Sequence, residues 1–260
     1  MMLKVATWNV NSIKARLDRA LAWLDKMRPD ILCLQELKVP DDLFPDDQIA
    51  AAGYHAAVHG QRTYNGVAIL SRSDITDVRT GMQDGVDDPQ SRVIAARTSG
   101  VNVVSVYVPN GGEVGSDKWE YKLDWMARLK DYLILNYGAD DPVLLCGDFN
   151  VAPDDRDAAN PDRWRESVLC HEAGRAWLRA VVDLGFADTI RLHHHEDGPY
   201  SWWDYRRLSF PKGDGLRIDH ILATAPMSGR CTAAYVDRDE RKGPKPSDHA
   251  PVIAEFDVGE

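Results

Sequence analysis

The chain has 260 residues, 44% of them hydrophobic, and its 41 acidic against 31 basic residues give a formal net charge of −10. That length suits one large domain or two small ones with an ample core; nothing approaches the roughly 18 consecutive apolar residues of a membrane span, and the basic deficit disfavours nonspecific binding of polyanions. The cysteines Cys33, Cys146, Cys170 and Cys231 are scattered without CxxC spacing, which excludes a zinc site or a disulfide framework and predicts reduced core residues.

The N-terminal apolar segment is too short for a secretory signal and lacks a small-residue cleavage site, so a cytoplasmic protein is expected. Leu3 to Val10 is the first predicted strand, with Trp8 and Asn9 near its end. Ile13, Leu17, Leu21 and Leu24 recur at helical spacing, which predicts a helix from Ile13 to Met27, and Pro29 forbids its continuation. Asp30 to Glu36 reads as a second buried strand with a polar tip. Strand, helix and strand in so few residues imply a parallel crossover, which places Asn9 and Glu36 at one sheet edge.

Strands are predicted at Gly66 to Ser71 and Ser91 to Arg97, with a polar connection rich in Asp and Gly between them. Val101 to Val108 is a strong strand carrying Tyr107 and running into Pro109-Asn110-Gly111-Gly112. Lys118 to Tyr137 predicts an amphipathic helix, with Trp119, Leu123, Met126, Leu129 and Leu133 on one face. It leads into Pro142-Val143-Leu144-Leu145-Cys146-Gly147-Asp148-Phe149-Asn150, an apolar run that suits a strand covered on both faces. Gly147 permits a turn or a close backbone approach, and Asp148 and Asn150 share a side if the chain stays extended.

Residues 152 to 171 read as a long irregular connection, and such loops are often functional. A helix from Glu172 to Leu184 follows, then Tyr200-Ser201-Trp202-Trp203-Asp204-Tyr205, a strand from Leu216 to Ala223, another near 231 to 237, and a last one from Pro251 to Asp257 preceded by Ser247-Asp248-His249. There is no linker tract and no solenoid repeat. Residues 1 to 260 are therefore expected to form one domain, two packed mixed sheets with helices outside.

The polar strand tips are Asn9, Glu36, Tyr107, Asp148, Asn150, Asp219, Asp248 and His249. Carboxylates and amides without cysteine are hard oxygen ligands that suit Mg²⁺ or Mn²⁺. The set exceeds what a metal needs, and the remainder matches phosphate ester hydrolysis: a group to position water, donors for the phosphorus oxygens, and a group for the leaving oxygen. Asp219 lies inside an apolar strand, where a carboxylate needs a partner, and His249 is the natural one. Taken singly, Glu36 could be a solvated loop residue and Tyr107 a rim aromatic.

Trp8-Asn9-Val10-Asn11, Leu34-Gln35-Glu36-Leu37-Lys38, Tyr107-Val108-Pro109-Asn110-Gly111, Gly147-Asp148-Phe149-Asn150, Leu216-Arg217-Ile218-Asp219 and Ser247-Asp248-His249-Ala250-Pro251 resemble, in order, the motifs of the exonuclease III family of abasic-site endonucleases. That family lies within the endonuclease/exonuclease/phosphatase superfamily. The resemblance implies an α/β, four-layer αββα sandwich of two mixed sheets flanked by helices. It implies Mg²⁺, with Mn²⁺ as a substitute, held by Glu36 with Asn9 and Asp248 close by, and with Asp148, Asn150 and His249 at the same centre. Asp148 would orient or deprotonate water, Asn150 would hold water and phosphate, His249 oriented by Asp219 would bond a phosphate oxygen, and Tyr107 would assist the leaving oxygen. Asn110 and Arg217 would contact DNA, and Trp202 or Trp203 would wall the abasic sugar.

The implied activity is cleavage 5′ to abasic sites in duplex DNA and removal of nucleotides or blocking groups from 3′ ends, by a monomer with no membrane partner. Alternatives are a phosphoesterase of the same fold acting on RNA or small phosphoesters, and a DNA-binding relative without catalysis. Asn11 stands where some relatives carry an Asp near the metal, so a second carboxylate is absent there. His220 is expected to be an outward-facing strand residue, and residues 152 to 171 do not match the family.

Overall fold

A computed structural model describes residues 1–259. In chain order the elements are β1 Met2–Asn9, α1 Ile13–Met27, β2 Ile31–Gln35, α2 Asp46–Ala51, β3 His55–His59, β4 Val67–Ser71, β5 Thr76–Thr80, β6 Val93–Thr98 and β7 Val101–Tyr107, followed by α3 Asp117–Asn136. Then come β8 Val143–Asp148, α4 Pro161–Trp164, α5 Glu172–Val182, β9 Phe186–Asp188, β10 Asp219–Thr224, β11 Cys231–Val236 and β12 Val252–Asp257, with short helical turns between them. Two six-stranded sheets result, ordered β11-β12-β1-β2-β4-β3 and β5-β6-β7-β8-β10-β9. Each holds one parallel pair, β1 with β2 and β7 with β8, so both are mixed.

Alternation along the strands builds the layers. Leu3 and Val5 of β1, Ile31 and Cys33 of β2, Val103 of β7, Leu144 and Cys146 of β8 and Ile221 of β10 meet in one core between the two sheets. The intervening residues face outward: Ala6, Trp8, Leu32 and Leu34 pack with Trp23 and Leu24 of α1, and Val104, Val106, Val143 and Leu145 pack with Trp125, Met126 and Leu129 of α3. The expected four-layer sandwich is the observed one. Three edge strands, β3, β5 and β9, had no predicted counterpart. The predicted strand from Leu216 begins at Asp219; Leu216 instead makes isolated bridges to Ala158 and Trp202.

The same alternation positions the polar groups. Thr7 and Asn9 continue the inward row of Leu3 and Val5, Tyr107 that of Val101 and Val103, Asp148 that of Leu144 and Cys146, and Asp219 that of Ile221 and Ala223. Asp219 pairs with Asp148 across the sheet, and Tyr107 pairs with Asp148 from the other side. The inter-sheet core therefore ends in a row of polar side chains. Gly147 allows the pairing to close, because a Cβ there would fall well inside van der Waals distance of the Val106 carbonyl oxygen.

α1 starts at Ser12, whose hydroxyl accepts from Ala15 N at 3.4 Å, and ends at Arg28 in a left-handed conformation just before Pro29. All four cysteines are free; Cys33, Cys146 and Cys170 are buried and Cys231 is partly buried. No helix among the described residues is long and apolar enough to cross a membrane.

Candidate active site

Glu36 follows β2 with a left-handed φ of 53° that turns its side chain back across the sheet end. Its Oε1 accepts from Asn9 Nδ2 at 2.9 Å and from the Tyr107 hydroxyl at 3.0 Å, while Oε2 meets Lys38 Nζ at 2.9 Å. Asn9, fully buried, also donates to Asp148 Oδ2 at 2.9 Å and so bridges the two carboxylates. Tyr107 is held over by Arg92, whose guanidinium lies 4.6 Å from the ring centroid. Burial, with the charges of Glu36 and Asp148, pushes the Tyr107 phenol well above its usual value, so it remains a donor.

His249 is buried opposite. Its Nδ1 lies 3.0 and 2.9 Å from the two Asp219 oxygens, and Nε2 lies 3.7 Å from Asp148 Oδ2. Asp219 is fixed in turn by the Ser201 hydroxyl at 2.6 Å, and that oxygen accepts from Ile218 N and Asp219 N at 3.1 Å each. Burial opposes charge on His249, but Asp219 and Asp148 outweigh it and raise the imidazole to about 10. Burial, reinforced by the Asp219 charge and countered by His249 and the Asn9 bond, raises Asp148 to about 7. The two groups titrate as a pair, and the direction in both is upward.

Asn150 sits at φ 49°, its backbone N donating to Asp148 Oδ1 at 2.9 Å and its Nδ2 to Val108 O at 3.0 Å. Its Oδ1 accepts from Asn110 Nδ2 at 3.0 Å, joining the two amides into one face. Asp248 stands to the side, both oxygens engaged, Oδ1 by Asn11 Nδ2 at 2.9 Å and Oδ2 by Trp202 Nε1 at 3.1 Å. Burial alone would raise its carboxyl, yet His249, Asn11 and Trp202 hold it below the usual value. Asn11 thus buttresses Asp248 and accepts from Lys38 Nζ at 2.6 Å on its other side.

Among the described residues one group has atoms placed to share a metal: Glu36, Asp148 and His249, each offering an atom within 4.8 Å of the others. Asn9 lies between Glu36 and Asp148; Asn150 is a neighbour through Asp148, and Asp248 is outside the group. The two carboxylates are hard oxygen donors that fit a magnesium-like ion, while Asn9 turns its Nδ2 to both of them and its Oδ1 accepts from Asn11 N at 3.0 Å.

Two expectations need correction. Arg217 is fully buried and offers no face to a duplex. Its Nε bonds Asp157 Oδ1 at 2.6 Å and its Nη1 meets Asp188 Oδ2 at 2.7 Å, an internal ion network rather than a DNA contact. His220 lies on the outer face of its sheet but is covered: Arg217 Nη1 donates to its Nδ1 at 3.1 Å, and Nε2 bonds Val151 O at 2.9 Å. Burial and the Arg217 charge hold that imidazole below its usual value, hence neutral. Of the two tryptophans, Trp203 is buried, while Trp202 lies partly exposed beside His249, with ring centroids 6.5 Å apart, and Trp164 packs edge-on against it at 5.9 Å.

The sequence reading missed three supports. Ser201 holds Asp219, and Ser247 accepts from His249 N at 3.2 Å while donating to Asn9 O at 2.7 Å. Lys122 is fully buried on α3, and burial lowers its ammonium to about 7 while the Asp148 charge pulls the other way. A lysine on the stripe Trp119, Lys122, Met126, Leu129, Leu133 was a visible signal, since that spacing is the buried face of a helix.

A sequence profile described as the endonuclease/exonuclease/phosphatase family matches residues 6–249. An exodeoxyribonuclease III of Haemophilus influenzae is 35% identical over 266 residues, spanning 98% of this chain and 100% of the relative. Among solved structures, an AP endonuclease from Archaeoglobus fulgidus superposes with a TM-score of 0.96 at 41% identity, covering 98% of this chain and 100% of its own. A Neisseria protein described as a 3′ phosphatase, bound to a product DNA hairpin, superposes with a TM-score of 0.94 at 44% identity, covering 98% and 99%.

Proposed function

This chain belongs to the endonuclease/exonuclease/phosphatase family, and within it we propose a Mg²⁺-dependent DNA phosphodiesterase of base-excision repair that hydrolyses the bond 5′ to abasic sites and clears nucleotides or blocking groups from 3′ ends. The observation that carries this reading is the buried Asp219–His249 pair aimed at Asp148, beside Glu36, at the end of the inter-sheet core. The Archaeoglobus and Neisseria structures, an AP endonuclease and a 3′ phosphatase, fit the chain about equally, which supports both halves of the activity.

Glu36 and Asp148 would hold the cation, whose contribution when bound is to neutralise charge on the phosphoryl oxygens. His249 keeps both ring protons: Nδ1 is committed to Asp219, and Nε2 is free to donate to a phosphate oxygen as negative charge builds. Asp148 orients or deprotonates the attacking water, with Asn9 and the Asn150 N–H fixing its two oxygens. The Asn110–Asn150 amide face meets the phosphate without adding negative charge, and the Tyr107 hydroxyl is available to the leaving oxygen. Trp202 walls the site against a full nucleotide, and the chain works as a monomer.

A panel of an abasic duplex, a duplex with a 3′-phosphate end, single-stranded RNA and an inositol phosphate, each with Mg²⁺ and with Mn²⁺, tests the substrate. Cleavage of the two DNA substrates is expected. Turnover of the RNA or the small phosphoester alone would overturn the assignment.

A further inference from the structure

Lys122 is a buried cation whose polar contacts among the described residues are all backbone carbonyls: Nζ donates to Asn110 O at 3.2 Å, Asn150 O at 2.8 Å and Val168 O at 2.9 Å. Three acceptors around one nitrogen require three N–H donors, which is the ammonium form. Burying an ammonium without a carboxylate partner is costly, and a methionine or leucine at this helical position would fill the same stripe without that cost. Its place in the stripe is therefore explained by what it holds and not by the space it fills. Room for it is made by Gly111, whose φ of 95° suits glycine; a Cβ there would come within 2.9 Å of Lys122 Cδ and 3.2 Å of the Trp119 ring.

The three carbonyls belong to three different segments. One is the turn after β7 that carries Asn110, another the turn after β8 that carries Asn150, and the third is the connection between β8 and α5. The first two segments present the joined amides of Asn110 and Asn150, and Asn150 is held in a left-handed conformation that a free chain would leave. We propose that Lys122 is a positioning residue for catalysis: from beneath the site it ties the Asn110 and Asn150 turns together, so that both amides face the substrate phosphate in fixed register. The proposal rests on the phosphodiesterase reading above. It makes Lys122 act on the rate of the chemical step through geometry, not on DNA affinity, since its ammonium is sealed from solvent.

The test is steady-state cleavage of a labelled abasic duplex by the full chain with Mg²⁺, for wild type, Lys122→Met, Asn110→Ala and the double variant, each checked for folding by circular dichroism. Lys122→Met should lower kcat about 10- to 100-fold, the scale expected for a misplaced contact group. KM should stay within about threefold, because the Asn110–Asn150 face meets only the reacting phosphate and the rest of the duplex-binding surface is untouched. In the Asn110→Ala background the same substitution should cost clearly less than in the wild type, because one of the two amides it positions is gone. Strictly multiplicative effects in the double variant, a rise in KM alone, or near-wild-type kcat in Lys122→Met would each overturn the proposal. If Lys122→Met does not fold, Lys122→Gln is judged by the same criteria. An inactive wild type overturns the phosphodiesterase reading and this proposal together, whereas an active wild type with multiplicative variants overturns this proposal alone.

Discussion

In the proposed reading His249 is the donor to the phosphate, and both neighbours, Asp219 and Asp148, stabilise its charged form. Replacing it with Asn should lower kcat by about 10² to 10⁴, the usual span for loss of a positioned acid or base, with the fold retained. Near-wild-type single-turnover rates for His249→Asn would remove the ring from the reaction. The pH dependence follows from the same pair. With Asp148 raised to about 7 and His249 to about 10, the working state, carboxylate plus imidazolium, is depleted on the acid side first. A cation beside Asp148 draws its midpoint down, so single-turnover rates should fall at or below about pH 7 and show no loss from His249 up to about pH 9. A rate that is flat through the acid range would take Asp148 out of the role of base. Gly147 is the backbone counterpart: Gly147→Ala forces the Val106 carbonyl away and opens the β7–β8 pairing that carries Asp148, and should cost both activity and stability, read as a kcat loss together with a clearly lowered melting temperature; unchanged values of both would exclude the close approach.

At the scale of elements, the strands that deliver the site were legible and the edges were not. β1, β2, β7 and β8 are near-continuous apolar runs because both faces are covered, and their polar tips stand out against that background. β5 is exposed along its whole length and β3 is only partly buried, so no apolar run marks either; both are edge strands. Ser201, Ser247 and Lys122 escaped notice for a different reason: they act on backbone or on another catalytic side chain, and nothing in residue type announces a hydroxyl that will bond an Asp far along the chain. Arg217 misled because its motif places it two residues before Asp219, close in sequence to the site, yet it precedes β10 and so escapes the strand's alternation, and its side chain joins Asp157, Asp188 and His220 instead. The connection after β8 is likewise not loose. Asp157, fully buried, binds both Arg217 and Arg191, and Ala158 bridges to Leu216, which fixes the segment that brings Trp164 against Trp202. Asp157→Asn should leave Arg217 short of a partner, destabilise the chain by about 3–5 kcal/mol and speed amide exchange between residues 158 and 169. Unchanged exchange there would show that the ion network does not anchor the segment.

The whole molecule sets three apolar layers against one polar end, and its net charge of −10 includes Glu36 and Asp148 of the group placed to share a metal. Its acid stability should report the internal network. Burial would raise Asp188, but the Arg217 guanidinium holds its carboxyl below the usual value. A carboxyl depressed in the folded state contributes stability that is present above its unfolded value of about 3.9 and is lost as pH falls through the folded value. The melting temperature should therefore drop steeply below about pH 4, and the acid limb should be shallower in Asp188→Asn, whose stability is already reduced at neutral pH; parallel limbs would exclude this pair as the cause. The claim on which all of this depends is metal-dependent hydrolysis of a DNA phosphodiester. It is tested most directly by cleaving an end-labelled duplex with a single abasic site, with and without chelator, and identifying both product ends. A 3′-hydroxyl and a 5′-deoxyribose phosphate, abolished by the chelator and restored by Mg²⁺, is the predicted result; an unsaturated sugar from elimination, or cleavage indifferent to the chelator, would contradict it.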